Sequence, residues 1–170
     1  MTKLNSYLGL IRFYNPIGFW LLLWPGLWGL FLSDNFNIEN FTIVVLGSFL
    51  TRSLGCAIND FLDKDFDKSV ERTKNRPIAS KELSLSEAGI FIILLASVCI
   101  FLLMQTNPYT IKLVSYVAIP MIIFYPLMKR FLAMPQLFLG ATFGLSLPIS
   151  YSIAESTLSL EVIFLYIGCI

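Results

Sequence analysis

The feature that most constrains this chain is a succession of apolar stretches, each about as long as a bilayer-spanning helix. A membrane-embedded backbone must satisfy its own hydrogen bonds, so such stretches can only be helical unless they close into a barrel. The pattern therefore predicts an all-α, polytopic membrane helix bundle with five transmembrane helices and the start of a sixth. The five windows are Ile17–Leu32, Phe41–Ile58, Ala88–Met104, Leu113–Met128 and Met134–Ile153, and the sixth begins at Val162 and runs to Ile170.

The composition agrees with a membrane protein rather than a soluble domain. Hydrophobic residues make up 56% of the chain and charged residues 14%, whereas a soluble domain carries about 25% charged residues. The net charge of +1 gives no reason to expect a nucleic-acid partner. No removable signal peptide is recognisable, and we expect one integral membrane domain over residues 1–170.

The absence of histidine limits the chemistry that the sequence can support. Histidine general bases, histidine-ligated zinc and haem with a histidine ligand are excluded. Cys56, Cys99 and Cys169 are far apart in apolar surroundings, and we expect them to be small buried hydrophobic residues. Chemistry must therefore use carboxylates, lysine, arginine, tyrosine or a hard cation.

Basic residues predict the orientation in the membrane, because cytoplasmic loops are enriched in lysine and arginine. Lys3 and Arg12 precede the first window, six basic residues lie in the long loop 59–87, and Lys129 and Arg130 follow the fourth window. The amino terminus and the loop 59–87 are therefore expected to be cytoplasmic. No Arg- and Ser-rich presequence is present, so we expect a bacterial inner membrane.

That loop begins with a cluster of acids, "AINDFLDKDFDKSV" at residues 57–70. If the second helix continues through residue 67, then Asn59, Asp60, Asp63 and Asp67 share one face and Asp65 points nearly opposite. Like charges one turn apart repel each other. Something cationic must neutralise this face, and Mg²⁺ is the natural candidate because it prefers carboxylate, water and phosphate oxygens.

Basic side chains accompany these acids on both sides. Arg72, Lys74 and Arg76 follow the cluster and suit phosphate oxygens. Arg52 lies eight residues before Asp60, on the same helical face and within an apolar window, where a charge usually faces a partner or a polar cavity. Together they suggest a site for a metal and a diphosphate. A solvated helix end, with ordinary positive-inside lysines and arginines, stays open as the alternative.

At this point the sequence resembles a known family. "NDFLDKDFD" at residues 59–67 matches the N-D-x-x-D-x-x-x-D motif of the UbiA superfamily of intramembrane prenyltransferases, and "KNRPIAS" follows at the family's usual distance. The resemblance covers essentially the whole chain and is nearest to the bacterial branch that acts on 4-hydroxybenzoate. The stretches that indicate this branch are "NPIGFWLLLWPGLW" (15–28), "RSLGCAIND" (52–60), "YPLMKR" (125–130) and "PQLFLGATFGLSLPIS" (135–150).

The resemblance implies a Mg²⁺-dependent transfer of a polyprenyl group from polyprenyl diphosphate to the ring of 4-hydroxybenzoate, a step of ubiquinone biosynthesis. In that interpretation Asp60, Asp63 and Asp67 are the catalytic residues and bind Mg²⁺ through the diphosphate. The residues expected to hold diphosphate or the benzoate carboxylate are Asn59, Arg76, Lys129, Arg130, Arg12 and Arg52. The metal stabilises the departing diphosphate as a Lewis acid.

The chain departs from the family in its length. The family fold has nine transmembrane helices and a second aspartate-rich motif after the sixth, and residues 1–170 contain no such motif. We therefore expect this polypeptide, as a truncated N-terminal portion, to have little or no activity alone. A fragment, a decayed gene product and half of a split enzyme are all compatible with the sequence.

Other functions stay open at this stage. A different aromatic acceptor would leave the same motif. A non-catalytic remnant would retain the helices without turnover. A transporter is disfavoured, because the acids lie at the membrane edge and no internal repeat is visible, whereas transporters bind ions near the midplane between repeats.

Overall fold

The computed structural model describes residues 2–124 and 134–170, and this part of the chain is helical with no β-strand. The prediction of an all-α fold is thereby confirmed. The helices are α1 (Lys3–Leu10), α2 (Ile17–Phe31), α3 (Ile38–Leu62), α4 (Lys64–Asp67), α5 (Leu85–Met104), α6 (Pro108–Phe124), α7 (Pro135–Gly144), α8 (Ser146–Glu155) and α9 (Leu160–Gly168).

Three helical segments are long and apolar enough to cross a membrane: α3, α5 and the segment Gln136–Glu155, in which α7 and α8 follow one another. The helices α2 and α6 are apolar but shorter. Each of the five predicted windows therefore coincides with helix, although the end of the fourth, from residue 125 on, lies outside the described residues. The protein is a polytopic membrane protein.

The fourth window contains a local change of helix type. Val114–Ala118 forms a π-helical turn, and the amide of Ile119 donates to the carbonyl of Val114, five residues back. Pro120 follows directly and has no amide hydrogen to continue an α-helical ladder. Pro120 cannot donate to the carbonyl of residue 116, so one α-helical hydrogen bond is missing at this place. The π-helical turn lies beside this missing bond.

The chain divides into two compact units. The first unit consists of Met1–Gly18 and Leu50–Ile100. Its hydrophobic core contains residues from α1, the end of α3, the following loop and α5, namely Leu10, Ala57, Ile78, Leu83 and Ala88. Because Ile78 and Leu83 are buried at 4% and 1% exposure, they hold the loop after α4 against the helices of this unit.

The second unit consists of Phe19–Phe49 and Phe101–Ile170. Leu23, Leu30 and Val44 form its buried apolar cluster. A polar network complements it: the Asn107 side-chain amide donates to the carbonyls of Ser152 and Ile153, at 2.7 and 3.1 Å. These bonds satisfy carbonyls near the end of α8, as burial requires.

Candidate functional site

The aspartate cluster begins where α3 ends. The supposition of one continuous helix through residue 67 differs from the structure: α3 stops at Leu62, Asp63 has φ −91° and ψ 8°, and the four-residue α4 follows. The Asp63 amide still donates to Asn59 O at 2.9 Å, and the Asp67 amide to Asp63 O at 2.8 Å. Aspartate is a weak helix former because its side chain competes for backbone groups, so a break among four aspartates is understandable.

Asp60 and Asp67 are brought together by one arginine. Arg76 Nη1 lies 2.8 Å from Asp67 Oδ2 and 3.1 Å from Asp60 Oδ1. Both aspartates are buried, with 1% and 3% exposure. The segment before Arg76 is fixed locally, because the buried Thr73 hydroxyl donates to Asp67 O at 3.1 Å. The break at Asp63 therefore leaves two of the predicted acids on a common cation.

Arg12 provides a second cation for Asp60. Its Nη2 donates to Asp60 Oδ1 at 2.7 Å, while its Nη1 donates to Gly9 O at 3.0 Å. Removing one partner of a buried ion pair costs about 3–5 kcal/mol, because a charge is left uncompensated. Two guanidinium groups thus neutralise Asp60, which cannot be solvated by bulk water.

The position of Arg12 is set by an unusual end to α1. Arg12 has φ 58°, its amide donates to Gly9 O at 3.1 Å, and the amide of Phe13 donates to Leu8 O at 3.0 Å. This is the hydrogen-bond pattern of a Schellman motif, whose left-handed position is normally glycine. An arginine there, in direct contact with Asp60, connects the helix end to the acidic cluster.

One oxygen of this cluster has no protein partner. Asp60 Oδ2 is buried and accepts no hydrogen bond from any described residue. An unsatisfied carboxylate oxygen is costly in a protein interior, and it is a suitable ligand for a hard divalent cation. The residues present therefore fit a Mg²⁺ ligand at Asp60, although no group of three or more acidic, histidine or cysteine side chains within the described residues is arranged to hold a metal by itself.

The other polar residues of the segment 59–67 are placed differently. Asp65 is exposed and accepts from Lys68 Nζ at 2.8 Å, and this ammonium lowers the pKa of Asp65 from its ordinary value. Asn59 and Asp63 are half-buried. The placement agrees with the expectation that Asp65 points away from the other three acids.

Arg52 lies in α3 and passes across Gly18 near the start of α2. A Cβ at Gly18 would lie 2.0 Å from Arg52 Nε and 2.6 Å from its Cζ. A larger residue at position 18 would therefore require the Arg52 guanidinium to move. Lys129 and Arg130, which were also predicted to bind substrate, lie outside the described residues.

The sequence predicts that Arg12 and Arg76 hold diphosphate or the benzoate carboxylate, but it does not predict their direct contacts with Asp60. Arg12 and Asp60 are 48 residues apart in the chain, and no local pattern pairs them. The available signal was the cluster of aspartates itself. Clustered carboxylates repel one another, so they require cations, but the sequence does not show which residues supply them.

The model of the UbiA prenyltransferase family matches residues 22–170, and the chain belongs to this family. A 4-hydroxybenzoate octaprenyltransferase of Polynucleobacter asymbioticus is 42% identical over 168 residues, which are 98% of this chain and 58% of that protein. The enzyme of the same name from Vibrio atlanticus is 41% identical and is covered to 59%. The chain thus spans somewhat more than half the length of these relatives.

Solved structures agree on the fold. A structure described for digeranylgeranylglyceryl phosphate synthase has a TM-score of 0.80 at 23% identity and covers 99% of this chain and 59% of its own. A UbiA homologue from Archaeoglobus fulgidus, bound to GPP and Mg²⁺, has a TM-score of 0.74 at 19% identity, over 96% of this chain and 58% of its own. At these identities the similarity establishes the helical architecture.

Proposed function

We propose that this chain contributes the first aspartate-rich half of a site that transfers a polyprenyl group from polyprenyl diphosphate to the ring of 4-hydroxybenzoate. The observation that carries the proposal is the buried, unpartnered Asp60 Oδ2 beside Asp67, Arg12 and Arg76. The relatives named 4-hydroxybenzoate octaprenyltransferase support the reaction and the acceptor. The enzyme would act in the bacterial inner membrane, with the loop 59–87 on the cytoplasmic side.

Asp60, Asp63, Asp67 and Asn59 would hold the metal and the diphosphate. A magnesium ion bound there would supply Lewis-acid stabilisation of the departing diphosphate. Asp60 contributes a carboxylate oxygen that is already desolvated, so its charge acts on a nearby cation with little screening by water. The A. fulgidus homologue with bound Mg²⁺ supports the metal.

The arginines would hold the anionic parts of the substrates. Arg76 offers a planar guanidinium suited to two phosphate oxygens at once. Arg12, Arg52, Lys129 and Arg130 are the other candidates for diphosphate or for the benzoate carboxylate. Exclusion of water from a buried site would also limit hydrolysis, in which water and not the aromatic ring takes the prenyl group as diphosphate leaves.

A chimera tests this proposal. Residues 1–170 would replace the corresponding part of the P. asymbioticus relative, and membranes would be assayed with Mg²⁺, polyprenyl diphosphate and labelled 4-hydroxybenzoate. We expect prenylated product from the chimera, little or none from residues 1–170 alone, and a loss of at least about 100-fold with Asp60→Asn, since a removed charge-stabilising group costs this order in rate.

Asp65→Asn is the matched control, because Asp65 is an exposed acid of the same segment, lies outside the motif positions and is paired with Lys68. It should retain most of the activity. If Asp60→Asn were as active as Asp65→Asn, the assignment of Asp60 would be wrong. Competing aromatic acceptors added to the same assay separate 4-hydroxybenzoate from another ring.

A further inference from the structure

We propose that Arg76 is a built-in counter-ion that occupies the carboxylates of Asp60 and Asp67 until a metal arrives, and then transfers to the diphosphate. This inference rests on the proposed function, since it concerns the same acids. It adds that Arg76 and the metal compete for the same two carboxylates, and that Arg76 leaves them when the metal binds. Arg12, by contrast, would stay on Asp60 throughout.

The buried carboxylates of Asp60 and Asp67 need compensating positive charge. Asp60 and Asp67 have exposures of only 1% and 3%, so each needs a cation in place of solvent. Arg76 serves both, through a single nitrogen, Nη1, at 3.1 and 2.8 Å. Nη1 donates a hydrogen bond to Asp67 and forms an ion pair with Asp60, so it bridges the two acids. A divalent cation that bound both acids would compete with it for their oxygens.

A metal ion and Arg76 cannot bind these two acids at the same time. A metal bound to oxygens of Asp60 and Asp67 would lie within a few ångströms of Arg76 Nη1, and two cations at that distance repel strongly where water is excluded. The two states, arginine-bridged and metal-bridged, are therefore alternatives. Binding of metal alone must displace Arg76 and is weakened by the loss of its two contacts.

Arg12 and Arg76 differ in the contacts that hold their side chains in place. Both residues lie outside the helices, and their side chains are similarly exposed, at 23% for Arg12 and 26% for Arg76. Arg12 has an additional anchor on α1, because its Nη1 donates to Gly9 O at 3.0 Å. Within the described residues, the side-chain ion pairs of Arg76 are those with the two carboxylates. Arg76 is thus the one that can move, and phosphate oxygens offer a bidentate partner for its guanidinium.

This exchange predicts effects of opposite sign for one substitution. Arg76→Gln removes the competing cation, so the chain in detergent should bind Mn²⁺ alone about tenfold more tightly than the unsubstituted chain. The same variant should bind inorganic pyrophosphate in the presence of Mn²⁺ more weakly, because the arginine that receives the diphosphate is gone. Mn²⁺ binding is measured by electron paramagnetic resonance and pyrophosphate binding by calorimetry.

Lys81→Gln is the matched control, since it removes one positive charge from the same loop at an exposed position. It should change both affinities by much less. If Arg76→Gln weakened Mn²⁺ binding or matched Lys81→Gln, the exchange would be refuted. If Asp60→Asn and Asp67→Asn left Mn²⁺ binding intact, the metal site of the proposed function itself would fail.

A measurement on the unsubstituted chain guards against a variant that does not fold. Phenylglyoxal modifies accessible guanidinium groups, and peptide mass spectrometry locates the modified arginine. Mn²⁺ alone should increase modification of Arg76, and Mn²⁺ with pyrophosphate should decrease it again, while Arg12 changes little. An Arg76 reactivity that is indifferent to Mn²⁺ would overturn the exchange.

Discussion

At the scale of single residues, Arg12 combines an unfavourable backbone conformation with an ion pair to a residue far along the chain, Asp60. Its φ of 58° places an L-side chain in the left-handed region, which disfavours non-glycine residues by about 1–2 kcal/mol. Its guanidinium reaches the buried Asp60 at 2.7 Å. A glycine would suit the backbone better and would leave Asp60 with one cation fewer.

We expect Arg12→Gly to be more stable than Arg12→Ala by about 1 kcal/mol. Both substitutions remove the guanidinium. The difference between their free energies of unfolding therefore reports the cost of the left-handed backbone conformation at residue 12. Denaturant titration of the two variants in the same micelles gives the free energy of unfolding. Equal stabilities would mean that the backbone at residue 12 relaxes out of this conformation.

At the scale of elements, the second unit depends on a close approach of α2 and α8. A Cβ at Gly29 would lie 2.1 Å from the carbonyl oxygen of Leu147, so the hydrogen of glycine is the only side chain that fits. Gly26 also lies close to α8 but less tightly, since its ideal Cβ would be 3.1 Å from the side-chain Oγ of Ser150. Small residues allow helix backbones to approach in membranes, where burial of apolar surface gives little drive for association.

Gly29→Ala should therefore destabilise the protein, by about 1–3 kcal/mol, because a backbone must shift to admit the methyl group. Gly89→Ala is the matched control within α5, since a Cβ there meets nothing within 4 Å. It should leave stability unchanged or raise it by about 0.5–1 kcal/mol, because alanine is the better helix former. Thermal unfolding in detergent compares the two, and a similar shift for both would contradict the close contact.

At the scale of the whole molecule, the placement of charges predicts the orientation of the chain in a bilayer. Ten of the twelve lysines and arginines belong to segments that the alternation of spans puts on one side. The acids Asp34, Glu39, Glu155 and Glu161 belong to the other side. This asymmetry predicts that the aspartate loop lies on the cytoplasmic side.

Membrane-impermeant maleimide labelling checks that orientation in cells. With Cys56, Cys99 and Cys169 replaced by alanine, Ser69→Cys should react only after the membrane is permeabilised. Thr157→Cys, between α8 and α9, should react in intact cells, and both side chains are exposed. Labelling of Ser69→Cys in intact cells would reverse the predicted topology.

Much of the helical fold could be predicted because apolar windows and membrane-spanning helices have the same physical cause. The windows matched helices at Ile17–Phe31, Ile38–Leu62 and Leu85–Met104 within a few residues. The separate α1 was not predicted, since eight residues beginning at Lys3 carry no long apolar run. The break at Asp63 was also not predicted, because helical periodicity alone continues the face to residue 67.

The sequence by itself determined that the chain is helical, resides in a membrane and carries clustered acids at the edge of a span, because hydropathy and residue spacing act locally along the chain. Only the tertiary structure decided which cations meet those acids. Arg12 and Arg76 lie 48 and 16 residues from Asp60 along the chain, and they meet at one carboxylate oxygen. That meeting depends on how α1 ends and on how the loop after α4 folds back, which are properties of packing in three dimensions.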